Sequence, residues 1–128
     1  MKLKFQILLI EDNEANRYLA TFLLEQCGHG VAHAPDGAAG LDLAAREHFD
    51  LVLLDIQLAV MDGYAVARAL RANASYARVP IVAVTSYAME GDREKCFAAG
   101  CNGYLEKPID PDTFAEAITG FLRPPAAS

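Results

Sequence analysis

The chain has 128 residues, with 11 Lys plus Arg against 17 Asp plus Glu and a formal net charge of −6. That length suits one domain of about 100–150 residues and leaves no room for a second; an acidic balance without a basic run argues against a nucleic-acid backbone as partner. Cys27, Cys96 and Cys101 form an odd set without CxxC spacing, which speaks against a disulfide framework and fits a reducing cytoplasm; no apolar run approaches the ~20 residues of a membrane span.

Phe5 to Ile10 is an apolar run ending in Glu11-Asp12 and reads as a buried strand. The same two acids end the apolar stretch behind the basic Met1 to Lys4, so no signal peptide is expected. Asn13 offers a helix cap. Ala15, Tyr18, Leu19, Phe22 and Leu23 follow at the spacing of one buried helix face, and Gly28 closes that helix. Val31 to Ala34 is a brief second strand; Asp36 caps a second helix with Leu41, Ala44 and Ala45 inward. Leu51 to Leu54 is continuously apolar and runs straight into Asp55, as suits a sheet covered on both faces. After Met61-Asp62-Gly63 a helix turns Val66, Ala67 and Leu70 inward. Pro80 opens a fourth strand, Ile81 to Val84, ending at Thr85. A helix over about 92–98 precedes Gly100, and a short strand spans Gly103 to Leu105 before Lys107-Pro108. The last helix is expected to start with Asp110 as cap and Pro111 at its first position, to bury Phe114, Ala117, Ile118 and Phe121, and to stop at Pro124-Pro125.

Alternation of strands and helices favours a parallel sheet with helices on both faces, linked by right-handed crossovers. Glu11, Asp12, Asp55, Thr85 and Lys107 then all fall at carboxyl ends of strands, which share one rim where ligands bind at the switch in strand order. Carboxylates gathered there repel: a like-charged pair about 4 Å apart costs roughly 4 kcal/mol at an effective dielectric near 20. A hard divalent cation such as Mg²⁺ suits such oxygens, and Lys107 adds a second positive charge. Acids, metal, lysine and hydroxyl together are the equipment of phosphoryl transfer, with a carboxylate as covalent acceptor.

The segments Ile7-Leu8-Leu9-Ile10-Glu11-Asp12-Asn13, Leu53-Leu54-Asp55-Ile56-Gln57, Met61-Asp62-Gly63, Val84-Thr85-Ser86 and Lys107-Pro108 occur in that order. In that arrangement the chain resembles, over essentially its whole length, the receiver domain of bacterial two-component response regulators. The resemblance implies a flavodoxin-like (βα)5 doubly wound parallel five-stranded sheet in the order 2-1-3-4-5. It places a receiver at 1–123 and a frayed tail at 124–128. It implies that Asp55 is the phosphoacceptor. Asp12, Asp55 and the Gln57 backbone carbonyl would ligate Mg²⁺ or Mn²⁺ directly, and Glu11 through water. Thr85 would hydrogen-bond the phosphoryl oxygens. Lys107, joined to Pro108 by a cis bond, would pair with carboxylate or phosphate. Tyr104 would turn inward as Thr85 moves, changing the face of the fourth helix, fifth strand and fifth helix that partners read. The implied donor is a histidine kinase or histidine phosphotransfer protein and the implied output a protein target, in the cytoplasm, without direct nucleic-acid binding or membrane insertion. The implied chemistry is limited to the chain's own phosphorylation and dephosphorylation.

Asp55-Ile56-Gln57 and Gly91-Asp92-Arg93-Glu94-Lys95-Cys96 are most similar to receivers of hybrid kinases and of small single-domain regulators. The Met1 start and Pro-Pro-Ala-Ala-Ser end favour a complete protein. Ala59 departs from a proline common in the family, and Tyr87 is bulky at the cleft mouth. In the family the positions of Tyr87 and Gln57 influence phosphoryl lifetime.

Each site residue also has an ordinary reading: Glu11-Asp12 as a strand end and helix cap, Thr85 as a strand-end residue, Lys107 as a solvated loop lysine. His29 and His33 are four apart, yet flanking glycines and a strand reading spoil them as a metal pair. Gly28-x-Gly30 lacks the rest of a dinucleotide fingerprint. Asn73-Ala74-Ser75 matches a glycosylation triplet without any other sign of secretion. An aspartate-nucleophile phosphatase would need a second acid where Gln57 stands. A flavodoxin-like cofactor binder would need a phosphate-cradling loop where Glu11-Asp12 stand. A docking-only module would have no use for the intact acid, threonine and lysine set.

Overall fold

The computed structural model describes residues 5–57, 62–85 and 91–122. In chain order these form β1 (Gln6–Ile10), α1 (Glu14–Gln26), β2 (Gly30–Ala34), α2 (Gly37–Arg46), β3 (Leu51–Asp55), α3 (Gly63–Ala72), a 3₁₀ turn (Ala74–Tyr76), β4 (Ile81–Thr85), α4 (Asp92–Ala98), β5 (Gly103–Glu106) and α5 (Phe114–Leu122). The strands lie in the order β2-β1-β3-β4-β5, and every pairing is parallel. This is the flavodoxin-like doubly wound sheet expected from the sequence. Met61, Ala59, Ser86, Tyr87 and the 124–128 tail lie outside the described residues.

Side-chain alternation splits the core in two. Leu8, Ile10, Val52, Leu54, Ile81 and Ala83 pack on Ala44 of α2, Val66, Ala67 and Leu70 of α3 and Cys96 of α4. Ile7, Leu9, Leu51, Leu53, Val82 and Val84 pack on Ala20, Leu23 and Leu24 of α1 and Phe114, Ile118 and Leu122 of α5. Helices on both faces explain why β3 and β4 are buried at every position and carry no polar alternation. Burying one such aliphatic side chain contributes roughly 1.5–3 kcal/mol before entropy is counted. Asn13, Asp36 and Asp62 cap α1, α2 and α3, accepting from the amides of Asn16 (2.9 Å), Ala39 (2.8 Å) and Ala65 (2.8 Å); each cap stabilises by about 1 kcal/mol.

Two expected helix faces are corrected. On α1, Tyr18 is 73% and Phe22 48% exposed and Ala15 is exposed, while Ala20, Leu23 and Leu24 are buried. Leu19 and Leu23 fit either stripe at helical spacing, and the sheet takes the one on the Ala20–Leu24 side. On α2, Ala45 is exposed and Gly37, Gly40 and Ala44 face inward. There the helix lies so close to the sheet that a Cβ on Gly40 would sit 2.4 Å from Ile10 Cδ1. The start of α5 also differs. Pro111 falls in a turn that precedes the helix, in which Asp110 accepts from Asp112 N through its carboxylate (2.9 Å) and from Phe114 N through its carbonyl (2.9 Å).

The 3₁₀ turn, unexpected from sequence, is capped by Asn73, whose side chain accepts from Ser75 N at 3.0 Å. It seats Tyr76, 1% exposed, with its hydroxyl donating toward the carbonyls of Ala44 and Glu47, both at 2.8 Å. Those are C-terminal carbonyls of α2 with no partner further along the helix. Tyr76→Phe should therefore lower folding stability by about 1–2 kcal/mol, read as an earlier urea midpoint with unchanged slope.

Candidate functional site

The rim at the carboxyl ends is built by strand adjacency. β1 pairs with both β2 and β3, with Ile10 opposite Leu54, so the chain leaving β1 at Glu11-Asp12 passes beside Asp55. One carboxylate oxygen each from Glu11, Asp12 and Asp55 lies within 4.8 Å of the others. Glu11 and Asp55 are buried, both 4% exposed, and Asp12 is exposed. Lys107 reaches in from the end of β5, its Nζ 2.9 Å from Glu11 Oε1 and 3.4 Å from Asp55 Oδ2. Its bond to Pro108 is cis, as expected, and its backbone N–H donates to the Thr85 carbonyl at 2.7 Å.

Backbone donors fix the acids. Asp55 Oδ1 accepts from Gln57 N at 3.0 Å and Glu11 Oε2 from Asn13 N at 3.2 Å. Gly63 donates to the Ile56 carbonyl at 3.1 Å and lies so close behind Asp55 that a Cβ there would sit 2.6 Å from Ile56 Cα and 2.8 Å from the Asp55 carbonyl oxygen. Any larger residue would have to displace backbone at the Asp55 strand end. Thr85 is buried at the end of β4, and the Gln57 side-chain amide donates to its hydroxyl. Tyr104 stands half-buried on β5 opposite Ala83, packed against the core cluster that contains Cys96 and Leu70.

Glu11, Asp12, Asp55, Thr85 and Lys107 are thus brought together from four strand ends, and Tyr104 sits below them. Sequence reasoning missed the Gln57 side-chain contact with Thr85, the packing role of Gly63 and the preference of Lys107 for Glu11. Met-Asp-Gly behind the strand was a signal for Gly63; nothing local announces the other two.

Burial pushes the Glu11 carboxyl up to about 7, helped by its hydrogen bond with the neighbouring Asp55 and opposed by Lys107. One lysine against three clustered acids leaves excess negative charge once they ionise. The donor set is all hard carboxylate oxygen, which fits Mg²⁺ or Mn²⁺ and is unlike the nitrogen and sulfur sets that select zinc.

The response regulator receiver domain profile matches residues 7–119. The polar-differentiation response regulator DivK of Brucella ovis is 38% identical over 116 residues, covering 91% of this chain and 94% of that one. Chemotaxis protein CheY4 of Vibrio cholerae superposes with a TM-score of 0.89 at 27% identity, covering 94% of this chain and all of the other. The receiver domain of a Pseudomonas aeruginosa sensor histidine kinase, solved with a magnesium ion coordinated in its active-site cleft, superposes with a TM-score of 0.86 at 37% identity, covering 94% of this chain and 98% of that one.

Because Glu11 binds its proton more tightly folded than unfolded, its contribution to stability is complete below its ordinary value of 4.5 and is lost as pH rises through about 7. Metal-free protein should lose stability across that window. Glu11→Gln should flatten the slope, as measured by urea unfolding at about pH 5 and about pH 8.

Proposed function

The chain belongs to the response regulator receiver domain family, and from that premise we propose that Asp55 is the phosphoacceptor of a two-component or phosphorelay pathway. The supporting observation is the meeting of three carboxylates within 4.8 Å with a lysine ammonium 3.4 Å from Asp55. The donor class is a phosphohistidine on a histidine kinase or histidine phosphotransfer protein. Asp55 attacks phosphorus in line; the new P–O bond forms as the P–N bond to the donor imidazole breaks.

Asp12, Asp55 and the Gln57 carbonyl would hold Mg²⁺ or Mn²⁺ directly, with Glu11 bridged by water, and the bound ion would neutralise phosphoryl oxygens. Lys107 supplies the second positive charge to the developing acyl phosphate. The Thr85 hydroxyl donates to a phosphoryl oxygen, and its movement frees Tyr104 to turn inward. The α4–β5–α5 face then changes shape for a downstream protein, so the chain is a signalling module rather than an enzyme acting on others. The receiver unit is assigned to 1–123, with 124–128 as a tail. A cytoplasmic setting suits such a partner, and no helix among the described residues is long and apolar enough to cross a membrane.

A phosphatase of the aspartate-nucleophile type is disfavoured because Gln57, which cannot serve as a general acid, stands two residues after Asp55 with its amide on Thr85. A docking-only module is disfavoured by the complete set of acids, lysine and hydroxyl.

Incubation with acetyl phosphate, with and without Mg²⁺, followed by intact-mass measurement, tests the proposal. A metal-dependent, base-labile phosphoryl adduct is expected on wild type and none on Asp55→Asn. Lys107→Met should slow adduct formation by about 10²–10³-fold. Sustained turnover of a phosphate ester would indicate the phosphatase instead, and no adduct under any condition would leave a docking module.

A further inference from the structure

We infer that His33 is a positioning residue for the metal site, acting through the peptide that joins Glu11 to Asp12. The inference rests on the metal-binding role proposed above. His33 lies on β2 opposite Leu9, a residue whose side chain packs with α1 and α5. Its Nε2 is 2.9 Å from the Glu11 carbonyl oxygen and its Nδ1 is 3.2 Å from Arg17 Nη1 on α1. A guanidinium only donates, so Nδ1 accepts, the ring proton sits on Nε2, and Nε2–H donates to the Glu11 carbonyl. Both hydrogen bonds are satisfied by a single tautomer.

The atom held is what gives the contact meaning. The Glu11 carbonyl belongs to the peptide plane whose other end is Asp12 N, so fixing its direction sets where the Asp12 Cα and carboxylate go. β2 already holds the other backbone group of Glu11, whose N–H donates to the Ala34 carbonyl at 3.1 Å. The remaining backbone group of Glu11, its carbonyl, takes its donor from the imidazole. Arg17 in turn orients the ring from the first turns of α1, where its own N–H donates to the Asn13 carbonyl at 2.9 Å. Asp12 is exposed and has no core packing to aim it, so the peptide behind it carries that task. Outer contacts of this kind typically change metal affinity by about 10–100-fold when removed.

The test is titration calorimetry with Mg²⁺ on the full chain, beside urea unfolding of the metal-free protein. His33→Val, whose β-branched side chain suits an edge strand, should weaken Mg²⁺ by about tenfold or more, whereas His33→Gln, which keeps a donor and an acceptor, should stay within about threefold of wild type. If His33→Val unfolds, His33→Thr, whose hydroxyl is too short to span the gap, takes its place with the same expectation. Loss of stability with Mg²⁺ affinity unchanged would show His33 to be edge-strand glue and overturn the inference. Equal weakening in His33→Gln and His33→Val would overturn it as well. Wild type failing to bind Mg²⁺ would overturn the metal site itself, a failure visible before any variant is compared.

Discussion

Three carboxylates share a rim with one lysine, and that charge imbalance is what the rest of the molecule is built around. Two of the acids, Glu11 and Asp55, are buried, where water cannot screen them and ionising both is costly. Lys107 relieves the strain only in part. It lies closer to Glu11 than to Asp55, yet the Glu11 carboxyl still sits well above the ordinary range. Below about pH 7 the metal-free site therefore keeps a proton on Glu11 where a second cation would otherwise offset the charge. Any ligand that brings positive charge has its binding favoured by the repulsion it removes.

Holding repelling groups together requires a frame stiffer than the repulsion, and the sheet supplies it. β1 and β3 are neighbours in the centre of a five-stranded sheet, with hydrophobic layers on both faces. The acids cannot drift apart without shearing those layers. Asp55 is fixed from behind by Gly63, whose backbone approach leaves no space for a Cβ, and from beside by the amide of Gln57. The acidic loop is held at the Glu11 amide by β2 and at the Glu11 carbonyl by His33. Preorganisation of this kind places the cost of assembling like charges in folding rather than in each binding event.

The meeting of Glu11, Asp12, Asp55, Thr85 and Lys107 at one rim was legible because it follows from a long-range rule of parallel sheets, whereas the strand order came from the family resemblance and agrees with the sheet observed. Short apolar runs ending in Asp12, Asp55 and Thr85 suit strands of a doubly covered sheet, and parallel strands bring their carboxyl ends to one side. Helix faces were less legible. On α1 the residues Leu19 and Leu23 satisfy two overlapping stripes, and the aromatic rings of Tyr18 and Phe22 favoured the wrong one; they lie exposed and stacked on each other, with centroids 6.5 Å apart. On α2 the fully buried residues are glycine and alanine, which carry almost no hydrophobic signal because closeness, rather than size, packs them, while Leu41 and Leu43 touch the core only in part. The Gln57–Thr85 contact, the Lys107–Glu11 pair and the His33 bridge join residues far apart in sequence through side-chain directions that no periodicity encodes.

The same geometry shows how occupancy of the rim can be felt elsewhere. Lys107 is tied to β4 by its backbone, donating to the Thr85 carbonyl, while its ammonium is shared between Glu11 and Asp55. Thr85 is tied to the Asp55 loop through Gln57. A phosphoryl group on Asp55 would compete for both the ammonium and the hydroxyl, and each withdrawal acts on the ends of β4 and β5 together. Tyr104 lies on β5 two residues below Glu106, which pairs with Thr85. It is half-buried and packed against the core from the edge strand, which leaves part of its ring facing outward. Two hydrogen bonds and one strand pairing thus link the rim to β5, and the proposed change of the α4–β5–α5 face would travel along them.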